Sequence, residues 1–396
     1  MWSAMKCSKQ IDLSLSIPRS ITKITEPRNC QRVLGMKKIL LIEPYYGGSH
    51  KLFLDGLVRH VDGDFTLLSL PARKWKMRMQ LSAPWFIAQL SELSEGERNF
   101  DTVLFSSFID VAVFKAMASS LPGWNNRCRY VTYFHENQFC YPGFLDKHTT
   151  HHFTSINFTS ALVSDSIAFN SEFNRSSFFH HCSKYLLRAT DMELGSCLDE
   201  VRQKSVVLHP GLDFSGQDRI KMMANKGKVK TIVWNHRWEH DKNPEEFFAT
   251  LYKLQDRGID FKLCVLGQHF QNNPSCFDEA RQRLSGEIIQ WGYVAETDAY
   301  YQHLAAGDIV VSTAFHEFFG ISVIEAVRAG CVPVLPRRLS YPELFEEQFL
   351  YDNGRLYKHL AEALQSEEKL AIEQSRKMTQ RFSWDNLAAG YRSWLH

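Results

Sequence analysis

From Met36 to the C-terminus, short apolar runs alternate with stretches of helical period, and this alternation constrains the fold more than any other feature of the chain. The runs at 37–43, 65–70, 102–107, 129–135, 166–170 and 205–209 predict strands, and 49–61, 110–120 and 172–189 predict helices between them. A second series opens at Thr231-Ile-Val-Trp-Asn235 and continues through 261–266, 287–291, 308–313 and 331–335. Continuously apolar strands separated by helices belong in parallel sheets covered on both faces. Right-handed crossovers then give an α/β protein of two doubly wound, Rossmann-like domains facing a central cleft. Residues 214–229 are polar, rich in Lys and Gly, and lack an apolar period, so they predict a linker. The expected organisation is a disordered leader over 1–35, a first domain over 36–213, the linker, and a second domain over 230–375. A C-terminal helix over 376–396 is expected to pack back on the first domain.

Composition narrows the class. At 396 residues the chain exceeds one ordinary core, and 44% hydrophobic with 23% charged residues describes a soluble globular protein. The formal charge of +2 supplies no global attraction to nucleic acid or membrane, so any basic surface must be local. No apolar run approaches the length of a membrane span, and stable membrane insertion is not expected. The nine cysteines are odd in number and lack a Cys-x-x-Cys pair, which suits reduced thiols in a cytoplasmic protein, or a nuclear one in a eukaryote. The leader is rich in Ser, Pro and basic residues, and a transit peptide remains an alternative to disorder.

Open α/β sheets bind ligands at the C-terminal ends of their strands, so the polar clusters released there are the candidate site. Glu317 lies in the loop after the run Asp308–Thr313, and Glu325 lies in the helix that begins near Gly320, close to its positive end. Two acids around one loop suit a polyhydroxy ligand; a solvated acid and a helix-capping acid are the plain alternative. Pro44-Tyr-Tyr-Gly47-Gly48-Ser49-His50 follows the first strand. Its glycines allow close backbone approach, Ser49 is placed to cap the helix, and free amides there attract anions, though a ligand-free turn fits as well. The fourth strand releases His135-Glu136-Asn137-Gln138 over the same crevice. In Trp234-Asn-His-Arg237-Trp-Glu-His-Asp-Lys242-Asn-Pro244, a guanidinium and an ammonium follow a strand and suit a diphosphate; an exposed ion-pair loop with Glu239 and Asp241 is the alternative. Asn243 and Pro244 mark the next helix start. Trp291-Gly292-Tyr293 is a weak candidate to flank a planar base. His148, His151 and His152 share a predicted helix but have no acidic or cysteine partner nearby in sequence, so no metal site is expected. The run Arg73-Lys74-Trp75-Lys76-Met77-Arg78 suits a nucleic-acid backbone with a stacked base, an anionic membrane surface, or a solvated helix face.

Assembled, Glu317-x7-Glu325, Arg237 with Lys242, the Gly47-Gly48 loop and strand-end His135 resemble the retaining glycosyltransferases of family 4, which have the GT-B fold. More narrowly, Gly47-Gly-Ser-His-Lys51, Phe134-His-Glu-Asn-Gln138, His236-Arg-Trp-Glu-His-Asp-Lys242 and His316-Glu-Phe-Phe-Gly320 are similar to the tRNA-queuosine alpha-mannosyltransferases, from Met36 nearly to His396. The resemblance implies GDP-mannose as donor substrate, queuosine-containing tRNA as acceptor, and no required cofactor or metal. It implies that Arg237 and Lys242 bind the diphosphate, Glu317 the donor sugar hydroxyls and Glu325 the ribose. It also puts His135 near the anomeric carbon and Gly47 and Gly48 against the diphosphate. Tyr293, Phe318, Phe319 and Gly320 are expected around the nucleotide sugar. Arg73, Lys74, Lys76, Arg78, Glu136 and Asn137 are expected on the tRNA side. A transferase with a lipid or other small acceptor at a membrane surface, and a non-catalytic nucleotide-sugar or RNA-binding module, are the alternatives.

Overall fold

The computed structural model describes residues 21–24, 36–140, 147–189, 191–220, 228–269, 273–367 and 370–396. Each apolar run becomes a strand. The first sheet contains β1 (Ile21–Ile24), β2 (Lys38–Tyr46), β3 (Asp64–Pro71), β4 (Thr102–Ser106), β5 (Arg129–Phe134), β6 (Ser166–Phe169) and β7 (Ser205–Val207). The second contains β8 (Thr231–Asn235), β9 (Lys262–Leu266), β10 (Ile288–Gly292), β11 (Ile309–Val311), β12 (Val332–Pro336) and β13 (Leu350–Tyr351). The orders are β1-β3-β2-β4-β5-β6-β7 and β10-β9-β8-β11-β12-β13. All neighbours are parallel except β1, which pairs antiparallel with β3. The expected disordered leader is corrected on this point, because Ile21–Ile24 adds an edge strand. The rest of the leader, residues 221–227, and the side chains of His148 and His151 lie outside the described residues.

Helices cover both faces of each sheet, which is why β4, β6 and β8 are buried at every position. In each sheet the first strand of the doubly wound series lies in the middle, with its successors running off to either side. The chain order therefore reverses between β2 and β4 and again between β8 and β11. A crevice opens at the carboxyl ends of the strands at such a switch point. Both candidate loop systems leave strands bordering these two points or lying one strand away.

The C-terminal helix Trp384–Leu395 packs on the first sheet, with Trp384, Tyr391, Trp394 and Leu395 in one core with Leu41, Phe53 and Tyr133. Thr102 donates to the Leu395 carbonyl at 2.9 Å, and Tyr391 to the His209 carbonyl at 2.8 Å. A Cβ added to Gly56 or Gly211 would come within 2.1 or 2.2 Å of the Trp384 ring, so both positions must be glycine for the indole to seat. Outgoing and returning chains cross between the sheets side by side: the Leu212 amide donates to the Phe382 carbonyl and the Trp384 amide to the Leu212 carbonyl. Ser171, Glu172 and Phe173 of the first domain also contact Phe318 and Glu343 of the second.

Candidate active site

On the second domain, the loop after β8 is stitched to the loop after β11. The Asp241 carbonyl accepts from the Phe315 and His316 amides, and Thr313 donates to the Lys242 carbonyl at 2.9 Å. This stitching buries Lys242, whose ammonium lies 2.6 Å from the His316 carbonyl, 3.2 Å from Glu317 Oε2 and 3.3 Å from Asp241 Oδ2. Burial would raise the Glu317 carboxyl, but the Lys242 charge and hydrogen bond, His236 and the Phe319 amide together outweigh it and hold the group down to about 2. Burial and the Lys242 charge lower both His236 and His316 to about 4, so both imidazoles are neutral at pH 7. Arg237, with 51% of its side chain exposed, pairs with Glu239 at 3.1 Å. The two cations thus differ: one is locked between carboxylates, the other stands at the surface of the loop.

Glu325 occupies another environment. It lies in the helix Ile321–Arg328, which starts after Gly320 at φ +96°. Tyr300 donates to its carboxylate at 2.9 Å, yet burial prevails and pushes the carboxyl up to about 7. Asn243 occupies the helix start as expected, but its side chain donates to Glu246 at 2.6 Å and does not cap the helix.

On the first domain, β2 leads into the helix Gly48–His60. Gly47 is required by packing, since a Cβ there would lie 2.5 Å from the Ala72 methyl, whereas Gly48 is required by its φ of +52° with open space around it. Ser49 is corrected from cap to first-turn residue, because Gly47 holds the cap position and no side chain caps the helix. Beside this turn His50 and His135 stack at 4.0 Å, and His50 Nδ1 lies 3.1 Å from Glu43 Oε2. Burial and the neighbouring His50 push His135 well below the ordinary histidine value. Glu136 is raised by burial, while the charges of His50, Arg237 and Lys242 oppose that rise. Groups of the two domains are therefore within electrostatic reach of each other across the cleft.

Other expected residues sit elsewhere. Asn137 is fully buried and bonds Asn174 and Ser177, so it does not face a tRNA. Phe318 packs on Phe173 and Phe319 on His209 and Phe382, which makes both domain-junction residues. Tyr293 is 62% exposed beyond β10, and Trp291 packs inward against Trp238 and Phe248. Arg73, Lys74 and Lys76 are exposed at the start of the helix Trp75–Ser91, and Arg78 is half-buried. Trp75 packs on Phe108 and Phe153, so the expected stacking ring faces inward, and the surface offers cations beside the exposed Met77 and Leu81.

Sequence reasoning passed over Glu43, His50 and Tyr300. An acid closing a buried strand, followed by a histidine in the next helix's first turn, was the available signal for the first two. Among the described residues, Glu43, His50 and His135 are also a group whose ligand atoms lie within 4.8 Å of one another, the reach of a metal site. No helix among them is long and apolar enough to cross a membrane.

Residues 38–212 match the family tRNA-queuosine alpha-mannosyltransferase N-terminal, and 217–383 match Glycosyl transferases group 1. A tRNA-queuosine alpha-mannosyltransferase of Drosophila melanogaster is 34% identical over 325 residues, covering 80% of this chain and 84% of that protein. Anabaena HepE in complex with UDP and glucose superposes with a TM-score of 0.62 at 15% identity, covering 90% of this chain and 98% of that one. The lipopolysaccharide outer core galactosyltransferase WaaB superposes with 0.58 at 13% identity, with the same coverage. These structural likenesses establish the GT-B fold, and with the sequence relationship they place the chain among the glycosyltransferases, as a member of the tRNA-queuosine alpha-mannosyltransferase family.

Proposed function

We propose that the protein transfers mannose from GDP-mannose to the cyclopentenediol of queuosine in a tRNA anticodon, with retention of configuration and without a metal. The observation that carries this reading is the Lys242–Glu317 pair, which joins the two strand-end motifs of the second domain into one donor-facing unit. Arg237 and Lys242 neutralise the departing diphosphate. Fixed cations aimed at developing charge are the largest source of barrier lowering in such a transfer. Glu317, ionised throughout the physiological range, accepts from the donor sugar hydroxyls, and Glu325 from the ribose. Gly48 and the uncapped amides of the helix Gly48–His60 bring backbone donors to the same phosphates. His135, neutral, contacts the sugar near the anomeric carbon. The acceptor oxygen bonds to that carbon as the bond to the diphosphate breaks, and the departing phosphate oxygen takes the acceptor proton on the same face. The exposed cations Arg73, Lys74 and Lys76 hold the tRNA backbone, so binding weakens steeply with salt.

The test incubates purified protein with GDP-mannose and queuosine-containing tRNA and weighs the released nucleosides. The expected product is queuosine heavier by one hexose. Transfer from a different sugar nucleotide, or to a different acceptor only, overturns the assignment.

A further inference from the structure

The donor-binding set described above uses His135 but leaves the buried Glu43–His50 pair packed against it without a role, on the opposite wall of the cleft. Glu43, 1% exposed at the carboxyl end of β2, accepts from the Tyr45 amide at 2.8 Å and from Ser106 Oγ at 3.1 Å. His50 Nδ1 is its third partner, at 3.1 Å. The His50 ring is held on one side by Phe108, stacked at 5.1 Å, and on the other by His135 at 4.0 Å. His135 is fixed in turn by Phe53 and Tyr133. A buried carboxylate with two imidazoles is costly where apolar residues would pack as well, so its presence at a strand-end crevice points to use. A carboxylate on one ring nitrogen fixes an imidazole's orientation and leaves the other nitrogen for a substrate.

Resting on the proposed glycosyl transfer, we propose that Glu43 and His50, packed against the donor-side His135, form with Glu136 the subsite for the acceptor's vicinal diol. In it His50, oriented by Glu43, hydrogen-bonds through Nε2 the hydroxyl that attacks. Glu136, which bonds Gln138 at 3.1 Å and is in electrostatic reach of His50, takes the second hydroxyl. The imidazole orients the attacking oxygen, and the proton still leaves with the diphosphate oxygen. The subsite therefore governs transfer to the diol and leaves cleavage of the donor by water untouched. Burial and the Arg237 charge lower the His50 imidazole, but Glu43 and Glu136 prevail and raise it above the ordinary histidine value.

Two substitutions separate the two ring nitrogens. His50→Asn keeps a donor where Nδ1 meets Glu43 but removes Nε2, while His50→Gln carries an amide toward the Nε2 position. Hexose transfer to queuosine-containing tRNA, GDP release from GDP-mannose without tRNA, and tRNA binding by gel shift are measured for the full chain. His50→Asn is expected to lower transfer by about 100-fold, as for a misplaced attacking group. GDP release and tRNA affinity should stay within about twofold, with His50→Gln intermediate in transfer. Transfer by His50→Asn within about threefold of wild type overturns the subsite, as does a parallel loss of GDP release. Wild-type transfer that a chelator abolishes and Zn²⁺ or Mn²⁺ restores makes Glu43, His50 and His135 a metal site and also overturns it. Absence of any transfer by the wild type fails the parent reading and the subsite with it; the two His50→Asn outcomes fail the subsite alone, and the chelator outcome fails the subsite and the metal independence of the parent reading while leaving the transfer itself standing.

Discussion

The two walls of the cleft use opposite electrostatic strategies. The second domain's wall is a compensated charge lattice in which a buried ammonium sits between two carboxylates. The first domain's wall uses aromatic confinement, with two imidazoles pressed between Phe108, Phe53 and Tyr133 and a single buried acid behind them. A leaving diphosphate brings full negative charges and needs fixed cations, whereas a hydroxyl nucleophile brings none and needs orientation. The lattice is therefore vulnerable to the removal of one charge, and the aromatic wall to a change of shape.

Lys242→Ala is the most severe way to break the lattice. Removing one partner of a buried pair costs about 3–5 kcal/mol, because Glu317 and Asp241 are left uncompensated. Thermal unfolding should shift down sharply and transfer should be lost. Arg237→Ala separates chemistry from stability. Its side chain is half-exposed, so the unfolding temperature should hold while turnover falls by about 100- to 1,000-fold and tRNA binding in gel shift is unchanged. Glu317→Gln should impair turnover less than Arg237→Ala does. Its product should retain the α configuration, read by α-mannosidase digestion of the nucleoside, if Glu317 orients the sugar as proposed; loss of α linkage would make it the nucleophile instead.

Shape is tested by the paired glycines. Gly47→Ala drives a methyl into Ala72 and should cost about 1–3 kcal/mol, while Gly48→Ala meets only the left-handed φ penalty of about 1–2 kcal/mol. Chemical denaturation ranks them, and the reverse order would mean that the close packing yields. The remaining effect is read along pH and belongs to Glu325, whose carboxyl is raised from 4.5 to about 7 by burial. A raised acid binds its proton more tightly in the folded chain, so its ionisation works against folding as pH climbs from about 4.5 toward 7, and the penalty stays constant above. Glu325→Gln should therefore gain stability relative to wild type between pH 5 and about 8. The wild-type KM for GDP-mannose should fall as pH rises through about 7 and the carboxylate becomes available to the ribose, and Glu325→Gln should lose that dependence.

The central strands were legible because burial on both faces leaves an unbroken apolar run, as in Ile39–Ile42 or Ile309–Val311. Ile21–Ile24 was not, because an edge strand of four residues in a basic leader takes its order from β3 rather than from its own composition. Arg237, Lys242 and Glu317 were recognisable as candidates from their strand-end positions. That Lys242 is locked and Arg237 exposed was not, since burial depends on the loop after β11 closing over the loop after β8. Asn137 shows the same limit: its position suggested a ligand, and its partners Asn174 and Ser177 arrive from a helix decades of residues away.

Local chemistry and periodicity were enough to set the strand and helix succession, the two-sheet architecture and the strand-end residues that became site candidates. Charge state, partner choice and the Glu43–His50–His135 constellation came only with tertiary packing. A pKa or an ion pair depends on desolvation and on distances of a few ångströms between segments far apart in the chain, and neither is encoded in the neighbours along it.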